Sequence, residues 1–256
     1  MLSSAPERQR RILEILEGRE FARNADLARH LRVTAMTLWR DLVALEEKGL
    51  VRRTRGRVSR ASRNVVEPDF ASKADVAHAA KARIAAYAAR HLISDGDNLA
   101  LDGGTTVAAI ARETLPAGLT ILTNSLHTAR LFLSHSARPA VYACGGLLRE
   151  QSGTFIGREA LTFFGRRRTH RYFLSATGVD RDAGVTDLTL EDNEVKRAMA
   201  SGAEEVVLLA DRTKFGMVSL MRVLPWRRIH RFVTDAPASE LRSLSASHAH
   251  LKIHRV

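Results

Sequence analysis

Apolar residues recur at helical spacing in three separate stretches of the first quarter of the chain, with charged residues on the opposite faces. These patterns predict amphipathic helices over residues 7–17, 24–31 and 34–48, and Thr34 is placed to cap the third. Gly49 follows the third helix, where a residue that tolerates a positive φ suits a helix end. The N-terminal part is therefore predicted to be a small helical domain.

A short hairpin is predicted after these helices. Residues 50–54 are strand-like, Gly56 marks a turn, and a return strand begins at Val58. Three helices and a hairpin are the plan of a winged helix-turn-helix, whose third helix enters the major groove of DNA. We place this domain at residues 1–58. A helical bundle with a solvated charged face is the alternative that periodicity alone leaves open.

The segment that follows lacks periodicity at first and then becomes helical. Residues 59–72 contain serines, an asparagine and a proline, which together predict a linker. From Lys73 to Leu92 the sequence is rich in alanine, and its apolar side chains fall at helical spacing. We predict one long amphipathic helix here, leading into a second domain.

Apolar strand-like runs alternate with helical stretches through the rest of the chain. The predicted strands are residues 99–101, 119–122, 140–143, 172–175, 206–210 and 231–234. The predicted helices are residues 106–114, 126–134, 159–164 and 191–201. This alternation predicts an α/β domain with a mainly parallel sheet at residues 73–235, followed by a C-terminal tail at residues 236–256.

Glycines and short polar residues follow five of the predicted strands, at the edge where α/β domains bind ligands. They comprise Asp102, Gly103, Gly104, Thr105 and Thr106, then Thr123, Asn124 and Ser125, then Gly145 and Gly146, then the stretch 178–180 with Asp180, and finally the stretch 211–214 with Lys214. Each group alone is typical of a turn or loop. Together they favour a phosphorylated small molecule, because glycines allow close backbone approach and hydroxyls bind anions.

Several classes of function are excluded or disfavoured. There is no G-x-G-x-x-G after the first strand of this domain and no P-loop motif, so a dinucleotide site is not expected and a P-loop is excluded. The single cysteine, Cys144, excludes an intrachain disulfide and a multi-cysteine zinc site. No apolar run is long enough to span a membrane, and the N-terminus lacks the apolar core of a signal peptide. We therefore expect a cytoplasmic protein without a cofactor or a metal.

The net charge is +12, and its distribution says more than its total. Seven basic residues and no acidic residue lie between Lys48 and Arg63, which predicts a contact with a polyanion. The candidate DNA-binding residues lie on the third helix and on the hairpin. They are Thr34, Ala35, Thr37, Trp39 and Arg40 on the helix, and Arg52, Arg53, Arg55 and Arg57 on the hairpin.

These sequence segments resemble those of the DeoR family of bacterial repressors. Residues 33–53 carry a Thr-Leu-Trp-Arg-Asp-Leu core followed by a Leu-Glu-Glu-Lys-Gly-Leu-Val run, and Trp39 stands where the family usually has Arg. Trp39 either contacts DNA or packs against helix two. The polar strings of the second domain also fall in the order of the family's effector domain, so that the resemblance covers residues 7–235.

The resemblance implies a Rossmann-like effector domain of the ribose-5-phosphate isomerase type, which binds a sugar phosphate and thereby alters DNA affinity. By carry-over from the family, Gly104, Thr105, Thr106 and Lys214 would hold the phosphate. Asp102, Asn124, Asp180 and Glu194 would bind sugar hydroxyls or organise the loops. The implied function is a repressor of a carbohydrate catabolism operon, relieved by a phosphorylated sugar, in a dimer or tetramer that reads repeated half-sites.

An enzyme is the main alternative. Glu194 or Asp180 together with Lys196 could supply the base and the cation of an aldose–ketose isomerase. We favour a regulator, because the attached DNA-binding domain gives a sensor its output, and we expect Lys196 and Arg197 on a solvated helix face. A sensor of nucleotides instead of sugar phosphates is the third alternative.

Overall fold

The computed structural model of the chain describes residues 4–16, 22–54, 56–60 and 67–256, and of residues 52, 54, 59 and 60 it describes the backbone only. The chain forms two compact units, Met1–Val66 and Glu67–Val256. The predicted linker at residues 59–72 spans this boundary. Its central residues, 61–66, lie outside the described part of the chain.

The first unit contains helices and a small antiparallel sheet with the strand order β1-β3-β2. Its elements are α1 (Ala5–Leu16), β1 (Ala22–Arg23), α2 (Asn24–Leu31), α3 (Ala35–Glu47), β2 (Val51–Thr54) and β3 (Arg57–Arg60). Thr34 caps α3 by accepting a hydrogen bond from the Thr37 N–H at 3.2 Å, and Gly49 after the helix has φ +66°. The three helices and the hairpin are confirmed, and the two-residue strand β1 is added to them.

The core of this unit explains why its helices pack as they do. Leu38, Leu42 and Leu45 of α3 are all at most 2% exposed and belong to one apolar cluster with residues of α1, α2 and the sheet. Asp41 lies beside this cluster and is 3% exposed, and the Arg8 guanidinium of α1 binds its carboxylate at 2.8 Å. The ion pair offsets the cost of burying Asp41 and fixes α1 against α3.

The second unit is built on a seven-stranded sheet with the order β15-β14-β12-β9-β4-β5-β6, in which every neighbouring pair is parallel. Its strands are β4 (Asn98–Leu101), β5 (Thr120–Thr123), β6 (Ala140–Ala143), β9 (Thr169–Leu174), β12 (Ala203–Leu209), β14 (Arg231–Thr234) and β15 (Lys252–Arg255). Smaller antiparallel strands are β7 (Leu147–Arg149) and β8 (Thr154–Ile156), which pair together, and β10 (Gly178–Asp180), β11 (Gly184–Asp187) and β13 (Met221–Leu224), which form a second small sheet. All six predicted parallel strands are confirmed.

Helices cover both faces of this sheet. They are α4 (Phe70–Asp75), α5 (His78–Leu92), α6 (Thr105–Ala108), α7 (Leu126–Phe132), α8 (Arg158–Gly165), α9 (Leu190–Gly202) and α10 (Ala238–Ser247). Alternate residues of one strand join different apolar clusters: Leu208 packs with α8 and α9, and Val207 packs with α5. Burial on both faces accounts for the continuous apolar runs of the central strands.

Three expectations for this unit are wrong. The segment from Lys73 does not form one long helix, because Ala77 adopts the left-handed conformation with φ +54° and separates α4 from α5. Residues 236–256 are not a tail, since they form α10 and β15, and β15 pairs along β14 from Lys252 to Arg255. The predicted linker also ends earlier than residue 72, because α4 begins at Phe70.

Candidate functional site

Asp102 lies at the centre of the polar edge of the large sheet. It follows β4, which lies between β9 and β5, so loops from three adjacent strands meet around it. The carboxylate is fully buried and accepts hydrogen bonds from the Gly103 N–H at 2.8 Å, the Ser175 N–H at 2.9 Å and the Ser175 hydroxyl at 2.5 Å. Asp102 therefore fixes the loop after β4 against the loop after β9.

Lys196 completes a buried ion cluster, which we define as Asp102, Lys196 and Asp187. The Lys196 ammonium lies 2.8 Å from Asp102 and 2.6 Å from Asp187, and the Lys196 side chain is 7% exposed. Burial alone would lower the pKa of Lys196, but the two carboxylates raise it above its ordinary value. Burial alone would raise the pKa of Asp187, yet Lys196 and the Thr177 hydroxyl hold it below its ordinary value. The expectation that Lys196 lies on a solvated helix face is wrong.

The glycine pair after β4 is required by packing. A Cβ atom on Gly103 would lie 2.3 Å from the methyl group of Thr154, and one on Gly104 would lie 2.2 Å from Cβ of Ser175. Neither contact is possible without a shift of the neighbouring side chain. The loop from Asp102 to Thr106 is thus held tightly between two other loops, which leaves it little freedom to rearrange.

Two buried amides near this edge lack hydrogen-bond partners. Asn124, after β5, is fully buried, and both polar atoms of its side chain are unpaired among the described residues. Asn193 of α9 is also fully buried, and both polar atoms of its side chain are unpaired among the described residues. The side-chain hydroxyls on either side of Asn124 do have hydrogen-bond partners, because Thr123 donates to the Leu101 carbonyl at 2.7 Å and Ser125 caps α7. An unpaired buried amide is costly, so each of these two side chains is a candidate to bind polar groups of a ligand.

A group of positive charges lies beside the other end of the loop. Lys81 of α5 is 5% exposed and donates a hydrogen bond to the Lys73 carbonyl. The pKa of Lys81 is lowered to about 8, chiefly by burial and in part by Lys214 and Lys73, against the opposing effect of Asp211. Lys81 and Thr105 line one cavity of about 70 Å³.

The remaining predicted effector-binding residues lie in turns or on an exposed helix face. Gly145 and Gly146, with φ +69° and +108°, form the turn between the edge strand β6 and β7. Asp180 accepts hydrogen bonds from the N–H groups of Asp182 and Ala183 at 2.8 and 2.7 Å, which closes the hairpin of β10 and β11. Glu194 is exposed and has no hydrogen-bond or ion-pair partner among the residues that the structure describes. Its neighbours Asp192 and Asn193 are the buried polar residues of this turn of α9.

In the first unit, the candidate side chains of α3 lie on its outer face. Thr34, Ala35, Trp39 and Arg40 are exposed, and Thr37 is half-buried with its hydroxyl 2.9 Å from that of Thr34. Side chains that project from the start of this helix are free to meet base edges.

Trp39 and the hairpin are connected. Trp39 is 54% exposed, and the Arg53 guanidinium lies 5.8 Å from the centre of its ring. Arg53 also binds Glu46 through its N–H at 2.9 Å and its guanidinium at 2.6 Å. Arg53 is thus engaged within the domain. The side chain of Arg57, on β3, is exposed. Arg55 and the side chain of Arg52 lie outside the described residues.

Comparison with known families assigns both units. Residues 8–64 match the DeoR-like helix-turn-helix domain, and residues 76–236 match the DeoR C-terminal sensor domain. The chain belongs to the DeoR family. The first unit is the helix-turn-helix domain of this DeoR regulator, and the second is its sensor domain.

Full-length relatives agree with this assignment. The HTH-type transcriptional regulator IolR of Bacillus subtilis is 31% identical over 84% of this DeoR-family chain and 85% of its own length. The glycerol-3-phosphate regulon repressor of Escherichia coli is 29% identical over 96% of this chain and 98% of its own. Among solved structures, ribose 5-phosphate isomerase A from Neisseria gonorrhoeae aligns with a TM-score of 0.37 and 14% identity, over 54% of this chain and 53% of that one. Within the described ranges of the regulator, no helix is long and apolar enough to cross a membrane.

Sequence reasoning missed several polar residues of the DeoR sensor domain. Ser175 and Asp187 follow or end strands, but Asn193 and Lys81 lie on helices, where polar residues are usually solvated. Lys196 is a candidate only as the cation of the enzyme alternative, and the sequence does not predict its burial. One signal was available for Lys81: it shares a helical stripe with Ile84, Ala85 and Ala88, all of which are buried. A lysine within an apolar stripe indicates a buried cation.

Proposed function

We propose that this DeoR-family protein is a repressor whose sensor domain binds a phosphorylated sugar and whose DNA affinity changes on binding. The observation that carries the proposal is the pair of fully buried, unpaired amides of Asn124 and Asn193. Amides form hydrogen bonds with sugar hydroxyls both as donors and as acceptors. A bound polyol would remove the cost of leaving them unpaired.

The phosphate would bind at the end of the loop that starts at Asp102. Thr105 contributes a hydroxyl and shares a cavity with the Lys81 ammonium, and Lys214 adds a second positive charge. Charge-assisted hydrogen bonds from lysine to phosphate are stronger than neutral ones. The glycerol-3-phosphate regulon repressor, a relative along nearly its whole length, is named for a phosphorylated polyol, and this agrees with the proposal.

The buried ion cluster argues against an isomerase. Aldose–ketose isomerisation needs a carboxylate with enough basicity to remove a carbon-bound proton. Asp102 and Asp187 are both paired with Lys196, and the pairing keeps the pKa of Asp187 below its ordinary value. Glu194, the other candidate base, is exposed. We therefore propose a sensor without catalysis, in a dimer or tetramer that binds repeated operator half-sites.

A thermal-shift panel tests this function. The ligands are glycerol 3-phosphate, ribose 5-phosphate, glucose 6-phosphate and fructose 6-phosphate, each compared with its unphosphorylated form and with AMP and ADP. At a hundredfold excess over Kd, a ligand stabilises the folded state by about 2.7 kcal/mol, which raises Tm by roughly 5–10 °C in a unit of this size. Stabilisation by a nucleotide and by none of the four phosphates would contradict the proposal. Isomerisation of any of these substrates at enzyme-like rates, followed by NMR, would contradict the absence of catalysis.

A further inference from the structure

Glu67 holds the start of the sensor domain at two points. It is the first described residue after the stretch 61–66, which joins it to the helix-turn-helix domain along the chain. Its carboxylate accepts from the Lys73 ammonium at 3.0 Å and from one Arg149 nitrogen at 2.9 Å, and its carbonyl accepts from the Gln151 amide. The Glu67 side chain is 13% exposed. The segment that follows the DNA-binding unit along the chain is thus ionically fixed to the sensor.

Arg149 continues this contact toward the candidate effector site. Its other terminal nitrogen binds the Asp192 carboxylate, which also accepts from the hydroxyls of Thr154 at 2.7 Å and Thr189 at 2.8 Å. The Thr154 methyl group packs so closely on Gly103 that a Cβ there would force the Thr154 side chain to shift. A continuous series of contacts therefore runs from Glu67 through Arg149 and Asp192 to the glycine loop.

The same segment touches the sensor at other places. Phe70 stacks on His127 with ring centroids 4.0 Å apart and an interplanar angle of 15°, and His127 follows the Asn124-Ser125 loop by two residues. The Lys73 carbonyl accepts the hydrogen bond of the Lys81 ammonium. Residues 67–75, which we call the entry segment, thus contact side chains next to the buried amides and next to the cationic end of the site.

We propose that the entry segment reports effector occupancy to the helix-turn-helix domain through the Glu67–Arg149–Asp192 contacts. This proposal rests on the proposed function and specifies how that site is regulated. Asn193, whose buried side-chain amide lacks a partner among the described residues, directly follows Asp192 in α9. In this proposal, a ligand that engages Asn193 moves this turn of α9 and the Asp192 carboxylate with it. The guanidinium is planar and rigid, and it spans two carboxylates with different nitrogens. A shift of Asp192 therefore breaks or moves the bond to Glu67.

Glu67→Gln tests the proposal, with Glu205→Gln as the matched control. The amide nitrogen of the glutamine cannot accept from a second cation. Glu205 is also a bridging carboxylate, which binds Arg171 at 3.1 Å and Arg231 at 2.6 Å and is 22% exposed. DNA affinity of the full chain is measured by fluorescence anisotropy on a duplex selected for binding, with and without the four phosphates of the panel.

We compare the ratio of DNA affinities measured without and with the active phosphate. In the wild type and in Glu205→Gln, the phosphate should change DNA affinity by at least tenfold. Glu67→Gln should reduce this ratio to within about twofold of one, while its affinity for the same phosphate without DNA changes less than about threefold. Equal ratios in Glu67→Gln and the wild type would overturn this inference but leave the proposed function standing. A wild type that responds to none of the four phosphates would overturn the proposed function and the inference together. Gln151→Ala removes a different contact of the entry segment, the hydrogen bond to the Glu67 carbonyl, and should also reduce the ratio, which keeps the test decisive if Glu67→Gln fails to fold.

Discussion

Replacing Lys196 by methionine would leave two carboxylates buried without their cation. The side chains of Asp102 and Asp187 are 1% and 13% exposed, and each lies within 2.8 Å of the Lys196 ammonium. Removing one partner of a buried ion pair costs about 3–5 kcal/mol. The second unit has 190 residues, and a domain of that size loses roughly 2–4 °C of Tm per kcal/mol. We therefore expect Tm of the sensor domain to fall by roughly 10 °C.

The pH dependence of this effect is diagnostic. In the wild type, the lowered pKa of Asp187 contributes stability that is present at neutral pH and is lost as the pH falls through that pKa. In Lys196→Met, burial without the cation raises the pKa of Asp187, so protonation of this carboxylate removes part of the penalty as the pH falls. The stability difference between the two proteins should therefore shrink toward acid pH.

Urea unfolding between pH 5 and pH 8 measures this difference, with the exposed Lys252→Met as the control. The double variant Lys196→Met/Asp187→Asn should be more stable than Lys196→Met, because only one unpaired carboxylate remains. A loss below about 1 kcal/mol in Lys196→Met, with the pH profile of the wild type, would refute the buried ion cluster.

Two further predictions concern the anionic ligands. Arg40→Ala should weaken binding to a selected operator by about 1–3 kcal/mol with little effect on random DNA. Arg57→Ala should weaken binding to both DNAs and lower the slope of log affinity against log salt concentration by about one. Anisotropy titrations at several salt concentrations separate these outcomes, and equal behaviour of the two variants would contradict the assignment of Arg40 to bases and Arg57 to phosphates. Lys81, whose pKa is lowered to about 8, loses its proton above that pH, so affinity for the active phosphate should fall by up to tenfold per pH unit there. In Lys81→Arg, which stays charged, calorimetric titration should show no such fall, and an equal slope in both proteins would exclude Lys81 from the phosphate site.

The parallel strands could be predicted from the sequence because their burial is visible along the chain. The stretch 206–210 is apolar at every position, as a strand buried on both faces must be. By contrast, β15 reads Lys-Ile-His-Arg and carries a single aliphatic residue, Ile253, because it is an edge strand. Nothing in such a pattern distinguishes it from a solvated tail, and its place depends on pairing with β14.

Some residues of the candidate site could likewise be predicted from the sequence, and others could not. Asp102 and Asn124 directly follow apolar strands, so the rule that ligands bind at the carboxyl ends of strands selects them from sequence. Lys196 is selected by no such rule, because its burial depends on Asp187, which comes from an antiparallel hairpin whose register the sequence does not reveal. A charge on a helix is identified as buried only when its partner in three dimensions is known.

The buried cations of the sensor domain fall into two classes, and the difference bears on which end of the site takes the phosphate. Lys196 and Arg149 are each matched by two carboxylates, so an incoming anion would compete with bonds that already exist. Lys81 has no carboxylate within ion-pair distance among the described residues, and its hydrogen bond is to a neutral carbonyl. Its lowered pKa expresses the cost of holding that charge without a counter-ion. A phosphate dianion would remove this cost at Lys81 and gain nothing comparable at Lys196, which favours the phosphate beside Thr105 and the sugar hydroxyls beside Asn124.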